Sequence, residues 1–273
     1  MQWRDRQGFT LIELSITLVI IGLIVAGIMT GRSLIEGATI RKQASEFERY
    51  NTITNTFKIK YGCLPGDCEN QTRYGFDVLP FALTCSLGDG YINHCNDNSM
   101  EMWAYWRHLF QAEMNSFSPR YSDIWGAVSP YTDGRALFPT SLLSNAYIIG
   151  PIGGIYKTHG NPNPALAPRE HNYFAIVNDA VDINVRSLLP IQMYMLDAKM
   201  DDGLPLTGKV QAYGYYYGYG WSTLWRPAAD PYSSPASVGA AGSSNCVSNS
   251  TTPNSYNVTN SDLTCDGIIQ AGF

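Results

Sequence analysis

From Phe9 to Thr30 the chain reads FTLIELSITLVIIGLIVAGIMT, 22 residues in which Glu13 is the only charge. At 1.5 Å per residue, a helix over that run is about 33 Å long, enough to cross the hydrocarbon core of a bilayer. A cleavable secretory signal is the other reading of such a run. It needs a small-residue cleavage site behind the apolar stretch, and none is well placed here. Instead helical character continues through SLIEGATIRKQASEFERYNTITNTFKIKYG, with apolar Ile40, Ala44, Phe47 and Phe57 roughly along one face. No proline interrupts residues 9–61. The expectation is one helix of about 50 residues, roughly 75–80 Å long, ending near Gly62, half in lipid and half in water.

Glu13 is out of place in that helix. A charge inside a bilayer costs at least ~2.5–3.5 kcal/mol on insertion scales, so such residues have partners. One reading is that Glu13 snorkels, or is protonated, near the cytoplasmic edge. The other starts from the short basic leader MQWRDRQG. A cut between Gly8 and Phe9 would create an amine one helical turn before Glu13, a cation able to pair with a carboxylate in its own chain or a neighbouring one.

The stretch GFTLIEL, behind a basic leader and ahead of an unbroken apolar run, closely resembles the processing site of type IV prepilins and type II secretion pseudopilins. The resemblance implies cleavage after Gly8 by a membrane-embedded prepilin peptidase, N-methylation of Phe9, and a role for Glu13 in docking each subunit into a filament. It implies an inner-membrane location before assembly, at an inner-membrane assembly platform. Afterwards the chain would sit in an extracellular or periplasmic helical filament, among copies of itself and other pilins. Gly22 stands where many pilins have a helix-weakening glycine. Thr30 stands where many have a proline, with Gly27 and Gly31 nearby. Glycine costs ~1 kcal/mol relative to alanine in a helix, so Gly22, Gly27 and Gly31 mark 22–31 as the part most able to unwind. Close helix packing is the alternative use of small residues in membranes.

Beyond the helix, Pro65-Gly66 signals a turn, flanked by Cys63 and Cys68. Cys85 and Cys95 surround SLGDGYINH, and Cys246 and Cys265 enclose a Ser/Thr/Asn-rich segment. Six cysteines in a chain with a membrane segment suggest an oxidising compartment, and sequential pairing (63–68, 85–95, 246–265) is expected. A zinc site is the rival, but the ligand spacing is poor. The stretch NSMEMWAYWRHLFQAEM predicts a second helix over 98–114, with Met102, Trp106, Leu109 and Phe110 on one side and His108 as a packing or capping residue. AYIIGPIGGIY, NYFAIV and KVQAYGYYYGY predict antiparallel strands. LPIQMYMLDAKMDDG predicts a third helix with Pro190 in its first turn, Gly203 just past its end, and Met193, Leu196 and Met200 on the sheet side. NTFKIKYGCLPGD, MEMWAYWRHLFQAEM and LDAKMDDGLPLTGKVQA also look like segments of some large pilin-like proteins. The expected fold is therefore α+β and pilin-like: a long N-terminal helix, its second half packed on an antiparallel sheet, with extra helices and disulfide-clamped loops. Its parts would be a cleaved leader at 1–8, a transmembrane and filament-core helix at 9–31, an amphipathic continuation at 32–62, and a globular head at 63–273 with a C-terminal disulfide loop.

Signals for catalysis are missing. His94, His108, His159 and His171 fall in unrelated contexts, and there is no nucleophile elbow, phosphate loop or dinucleotide fingerprint. The expectation is a non-enzyme without a cofactor. GDGYINHCNDNSME offers Asp89, Asn93, Asn96, Asp97 and Glu101 as hard oxygen ligands for calcium, set against a simple polar turn capping the second helix. DDGLP at 201–205 is a weaker candidate of the same kind. YGYYYGYGW at 213–221 suits either exposed aromatic contacts with protein or sugar, or a strand whose rings pack on neighbours. The Ser/Asn/Pro-rich segment 229–262 reads as a surface loop with a composition open to O-linked sugars. Two functions follow. The first is a structural subunit of a type IV pilus or pilus-like filament. The second is a minor or tip pilin or pseudopilin that binds a surface, DNA or a secreted protein. DNA is disfavoured: without the leader's Arg4, Asp5 and Arg6 the formal charge goes from −5 to −6.

Overall fold

The computed structural model describes residues 10–77, 87–92, 94–96, 99–119, 138–143, 146–154, 169–177, 187–205, 207–213, 246–247, 255–263 and 265–273. Helix α1 is continuous over Leu11–Tyr61. The chain divides into two compact units, Met1–Thr39 and Ile40–Phe273. In the first, the described residues belong to the apolar part of α1 and the residue that precedes it.

In the second unit, α1 buries Ile40, Gln43, Ala44, Phe47, Tyr50, Thr54 and Phe57. Steps of three and four put these residues on one face of a 3.6-residue helix. The two polar residues on that face have partners. Gln43 Oε1 accepts from Ser141 Oγ (2.9 Å) and the Leu142 amide (2.7 Å). Thr54 Oγ1 lies 2.6 Å from Tyr105 Oη. The helix stops at Gly62, whose φ of +75° no β-carbon-bearing residue adopts comfortably.

The stripe packs on a four-stranded antiparallel sheet. Its strands are β3 (Tyr147–Gly154), β4 (Arg169–Val177), β5 (Val210–Tyr213) and β6 (Asp266–Gln270), in spatial order β3-β4-β6-β5. Phe174 of β4 pairs with Ile269 of β6 and sits at the centre of the aromatic core. The rings of Phe47, Tyr50, Tyr105, Trp106 and Phe273 have centroids 5.7–6.3 Å from its own. Such offset and edge-on pairs add to area burial.

Helix α2 covers Glu101–Gln111. It starts three residues later than the sequence suggested, because Ser99–Met100 (β2) pairs with His94–Asn96 (β1) in a small hairpin. Met102, Tyr105, Trp106 and Leu109 are fully buried, whereas Phe110 is half-buried under the Arg107 guanidinium. Helix α3 covers Pro190–Met200, with the proline at its start and Met193 and Leu196 buried. It lies so close to the sheet that a β-carbon on Gly267 would come within 2.6 Å of Met193 Sδ. Bridges join Cys63 to Cys68 and Cys246 to Cys265. The expected Cys85–Cys95 pair lies outside the described residues, as do most of 213–221 and 229–262.

Candidate assembly site at the head of the first helix

Thr10 precedes the first helical residue, and its carbonyl accepts the Leu14 amide at 3.2 Å. It is the N-cap of α1. Its amide and its hydroxyl both donate to Glu13 Oε2, each at 2.8 Å. The Glu13 amide donates back to Thr10 Oγ1 at 3.3 Å. This is a reciprocal capping box, which satisfies amides that the first helical turn leaves without partners. Glu13 is therefore the third residue of the helix, and its Oε1 makes no hydrogen bond among the described residues. The Thr-x-x-Glu spacing ahead of an apolar run announces such a box in sequence, a signal the reading from charge alone passed over. Gly8 and Phe9 lie outside the described residues.

Behind this head the apolar side chains point outward on every side. Leu11 is 87% exposed, Leu23 69%, Met29 69% and Leu34 70%. The helix is long and apolar enough to cross a membrane. Thr17 and Thr30 turn their hydroxyls onto the carbonyls of Leu14 and Ala26, hiding polarity that lipid would penalise. Around Gly22, Gly27 and Gly31 a β-carbon would meet nothing within 4 Å. Packing among the described residues thus places no demand on those glycines. The helix runs through 22–31 without a break.

A second polar centre lies where α1 ends. The Cys63–Cys68 loop presses Gly66 against α2, and the Gly66 amide donates to His108 Nδ1 at 2.9 Å. His108 is fully buried and stacks on Phe76 at 4.8 Å. Burial lowers its pKa to about 4, so the ring is neutral with its proton on Nε2. The packing role expected of it is the one seen. Asp67 accepts the amides of Gly88 and Gly90. Burial pushes its carboxyl up to about 6, against the opposite pull of those amides. Asn172 of β4 completes the junction, accepting from the Ile92 amide and donating to the Gly90 carbonyl.

Of the calcium candidates, Asp89 accepts the amide of Tyr91 in its own turn. Glu101 is buried in the first turn of α2, and Asn96 falls in β1. Asn93 and Asp97 lie outside the described residues. At the weaker candidate, 201–205, Asp201 and Asp202 are joined by Asp197, a residue the sequence did not single out, and the three place carboxylate oxygens within 4.8 Å of one another. These oxygens already accept hydrogen bonds. Asp197 takes Tyr256 Oη and the Gly203 amide, Asp202 takes the Leu204 amide and Thr207 Oγ1, and Asp201 takes the Lys209 amide. That arrangement is a helix end stapled to the loops beside it. His171 is exposed on β4, and His159 lies outside the described residues.

No curated protein and no solved structure matches this chain. The family signature described as the prokaryotic N-terminal methylation motif matches residues 3–29. That span holds the leader arginines, the Gly8–Phe9 junction, the Thr10–Glu13 box and nearly the whole apolar run. That signature overlaps the start of the 51-residue helix and, with the antiparallel sheet that follows, supports a type IV pilin-like protein.

Proposed function

We propose that this chain is a structural subunit of a type IV pilus or pilus-like filament. It is assembled through α1 after removal of residues 1–8 and methylation of Phe9. The observation that carries the reading is the exposure of large aliphatic side chains all around α1 from Leu11 to Ile35. A helix apolar on every side needs lipid or other apolar helices around it. Membrane residence satisfies it before assembly, and a bundle of identical helices satisfies it afterwards. The prepilin peptidase and methylase, an inner-membrane platform and further pilins are the partners this implies. In the bundle, Glu13 neutralises the Phe9 amine of a neighbouring subunit.

Glu13→Gln keeps the size and polarity of the side chain and removes its charge. Losing one member of a buried ion pair costs ~3–5 kcal/mol, enough to suppress a repetitive assembly. The variant, expressed without wild-type protein, is expected to be cut and inserted normally, with its head intact. Its sheared filaments should fall sharply while membrane-held subunit rises. Wild-type filament yield would overturn the pairing. Counting copies along purified filaments separates a main subunit from a minor or tip one.

A further inference from the structure

We infer that Asn257 is an attachment site for a sugar, linked from its side-chain nitrogen Nδ2 to the C1 carbon of the sugar. The site lies in the head, and the inference is independent of how the subunit assembles. Attachment of this kind needs Asn-x-Ser or Asn-x-Thr, with x other than proline, in a surface segment that a transferase can reach. Three such triplets occur, at Asn70, Asn249 and Asn257, and Asn249 lies outside the described residues.

The triplet Asn257-Val258-Thr259 is held in a shape that presents it. The Asn260 amide donates to the Asn257 carbonyl at 2.9 Å, which closes a turn with Val258 and Thr259 at its tip. Val258 is 44% exposed, and Thr259 is exposed beside it. The Thr259 hydroxyl donates to Asn257 Oδ1 at 3.0 Å, while Nδ2 makes no hydrogen bond among the described residues. That one bond orients the carboxamide. It also draws electron density toward Oδ1, so the Nδ2 protons leave more readily. Closing the turn takes backbone groups alone and does not account for the side-chain bond. The base of the turn is fixed. The Asn257 amide donates to the Cys246 carbonyl at 2.8 Å, Tyr256 Oη donates to buried Asp197, and the Cys246–Cys265 bridge closes the loop.

Asn70-Gln71-Thr72 has the same pattern in a different shape. Its last two residues begin a short 3-10 helix over Gln71–Tyr74, and Gln71 is buried, so a transferase would have to unwind that helix to grip it. The bridge at 246–265 also places the folding of the Asn257 loop where thiols are oxidised, the setting of N-linked sugars on surface loops. The donor is a sugar activated at C1 as a pyrophosphate. Attack by Nδ2 forms the bond to C1. The C1–O bond breaks and its electron pair leaves with the pyrophosphate, while one Nδ2 proton passes to a base of the transferase.

The test is peptide mapping by mass of the full chain, purified from the cells that make it, then reduced and digested. The peptide that carries residues 255–263 should be heavier than its sequence by one or more sugars, with the added mass on Asn257. Mild alkali, which strips sugars from serine and threonine hydroxyls, should leave it in place. Asn257→Gln and Thr259→Ala should lose the added mass, Thr259→Ser should keep it, and Asn70→Gln should not change it. An unmodified peptide from the native protein would overturn the proposal. So would added mass that alkali removes, that survives Asn257→Gln, or that Thr259→Ala leaves in place. Melting of the head, measured for each variant, separates a lost sugar from a lost fold. The native peptide needs no variant, so it decides even where a substitution unfolds the turn.

Discussion

At His108 a packing decision becomes a pH dependence. Nδ1 accepts the Gly66 amide, so a second ring proton would set donor against donor inside an aromatic stack. The buried ring titrates near 4, against an ordinary value of about 6.5. Between those values the unfolded chain binds more protons than the folded one, so this residue's contribution to stability falls as the pH drops through that window. The full loss is about 3 kcal/mol. Asp67 and Asp197 act in the opposite sense. Burial raises both to about 6, so the folded chain takes up protons on them below that pH and gains stability. Wild type therefore shows a partial cancellation, and a variant is needed to expose one term. His108→Asn keeps an acceptor near the Gly66 amide and cannot be charged. It should be less stable than wild type at pH 7, since it leaves a cavity, and the gap should narrow toward pH 4. Denaturation midpoints at pH 7, 5.5 and 4 measure this, and a constant gap would show that the ring does not sense the acid.

The connection between α1 and α2 turns on two glycines that sequence alone makes look alike. Gly62 and Gly66 both have positive φ, +75° and +90°. A β-carbon on Gly62 would meet nothing, whereas one on Gly66 would lie 2.5 Å from the Glu101 carbonyl oxygen. Gly62→Ala should cost only the conformational strain, about 1 kcal/mol. Gly66→Ala adds a clash with backbone that cannot step aside, and should cost a further ~1–3 kcal/mol. Thermal unfolding of the two variants side by side checks the ranking, and equal losses would mean that the loop does not press on α2. Elements with a long, regular signal were legible in the sequence: α1 to its end at Gly62, α3 from Pro190, and the strands around Tyr147, Phe174 and Val210. Strand β6 was not, because DGIIQ is five residues long with one glycine and two β-branched side chains, too little to show a period. The late start of α2 was hidden for a similar reason. A two-residue strand is held by its partner across the hairpin, and its own composition says nothing of that partner.

For the molecule as a whole, the N-terminal signature was readable because it lies in consecutive residues. The head was less so, since its polar junctions join residues far apart in the chain, such as Asn172 with Gly90 or Tyr256 with Asp197. Two whole-chain predictions follow from the local signal and the cysteines. Intact-mass analysis of native protein should give a chain that begins at methylated Phe9, and a mature species still carrying Met1 through Gly8 would refute the cut. Reduction should destabilise the head by roughly 2–4 kcal/mol for each loop opened, measured as the shift in its unfolding midpoint with and without a reductant. An unchanged midpoint would show that the bridges at 63–68 and 246–265 add nothing.

The order of strands in the sheet also sets a timetable. β6 lies between β4 and β5, yet it is the last of the four to be synthesised. Until it arrives, β4 and β5 each present an open edge, and Tyr105 lacks the Phe273 ring that stacks on it. Non-local pairing of this kind is slow, and it leaves strand edges bare meanwhile. The apolar helix, by contrast, leaves the ribosome first and is ready for lipid at once. The chain can thus reach lipid at one end well before the other finishes folding, and residues 266–273 set when the head is complete.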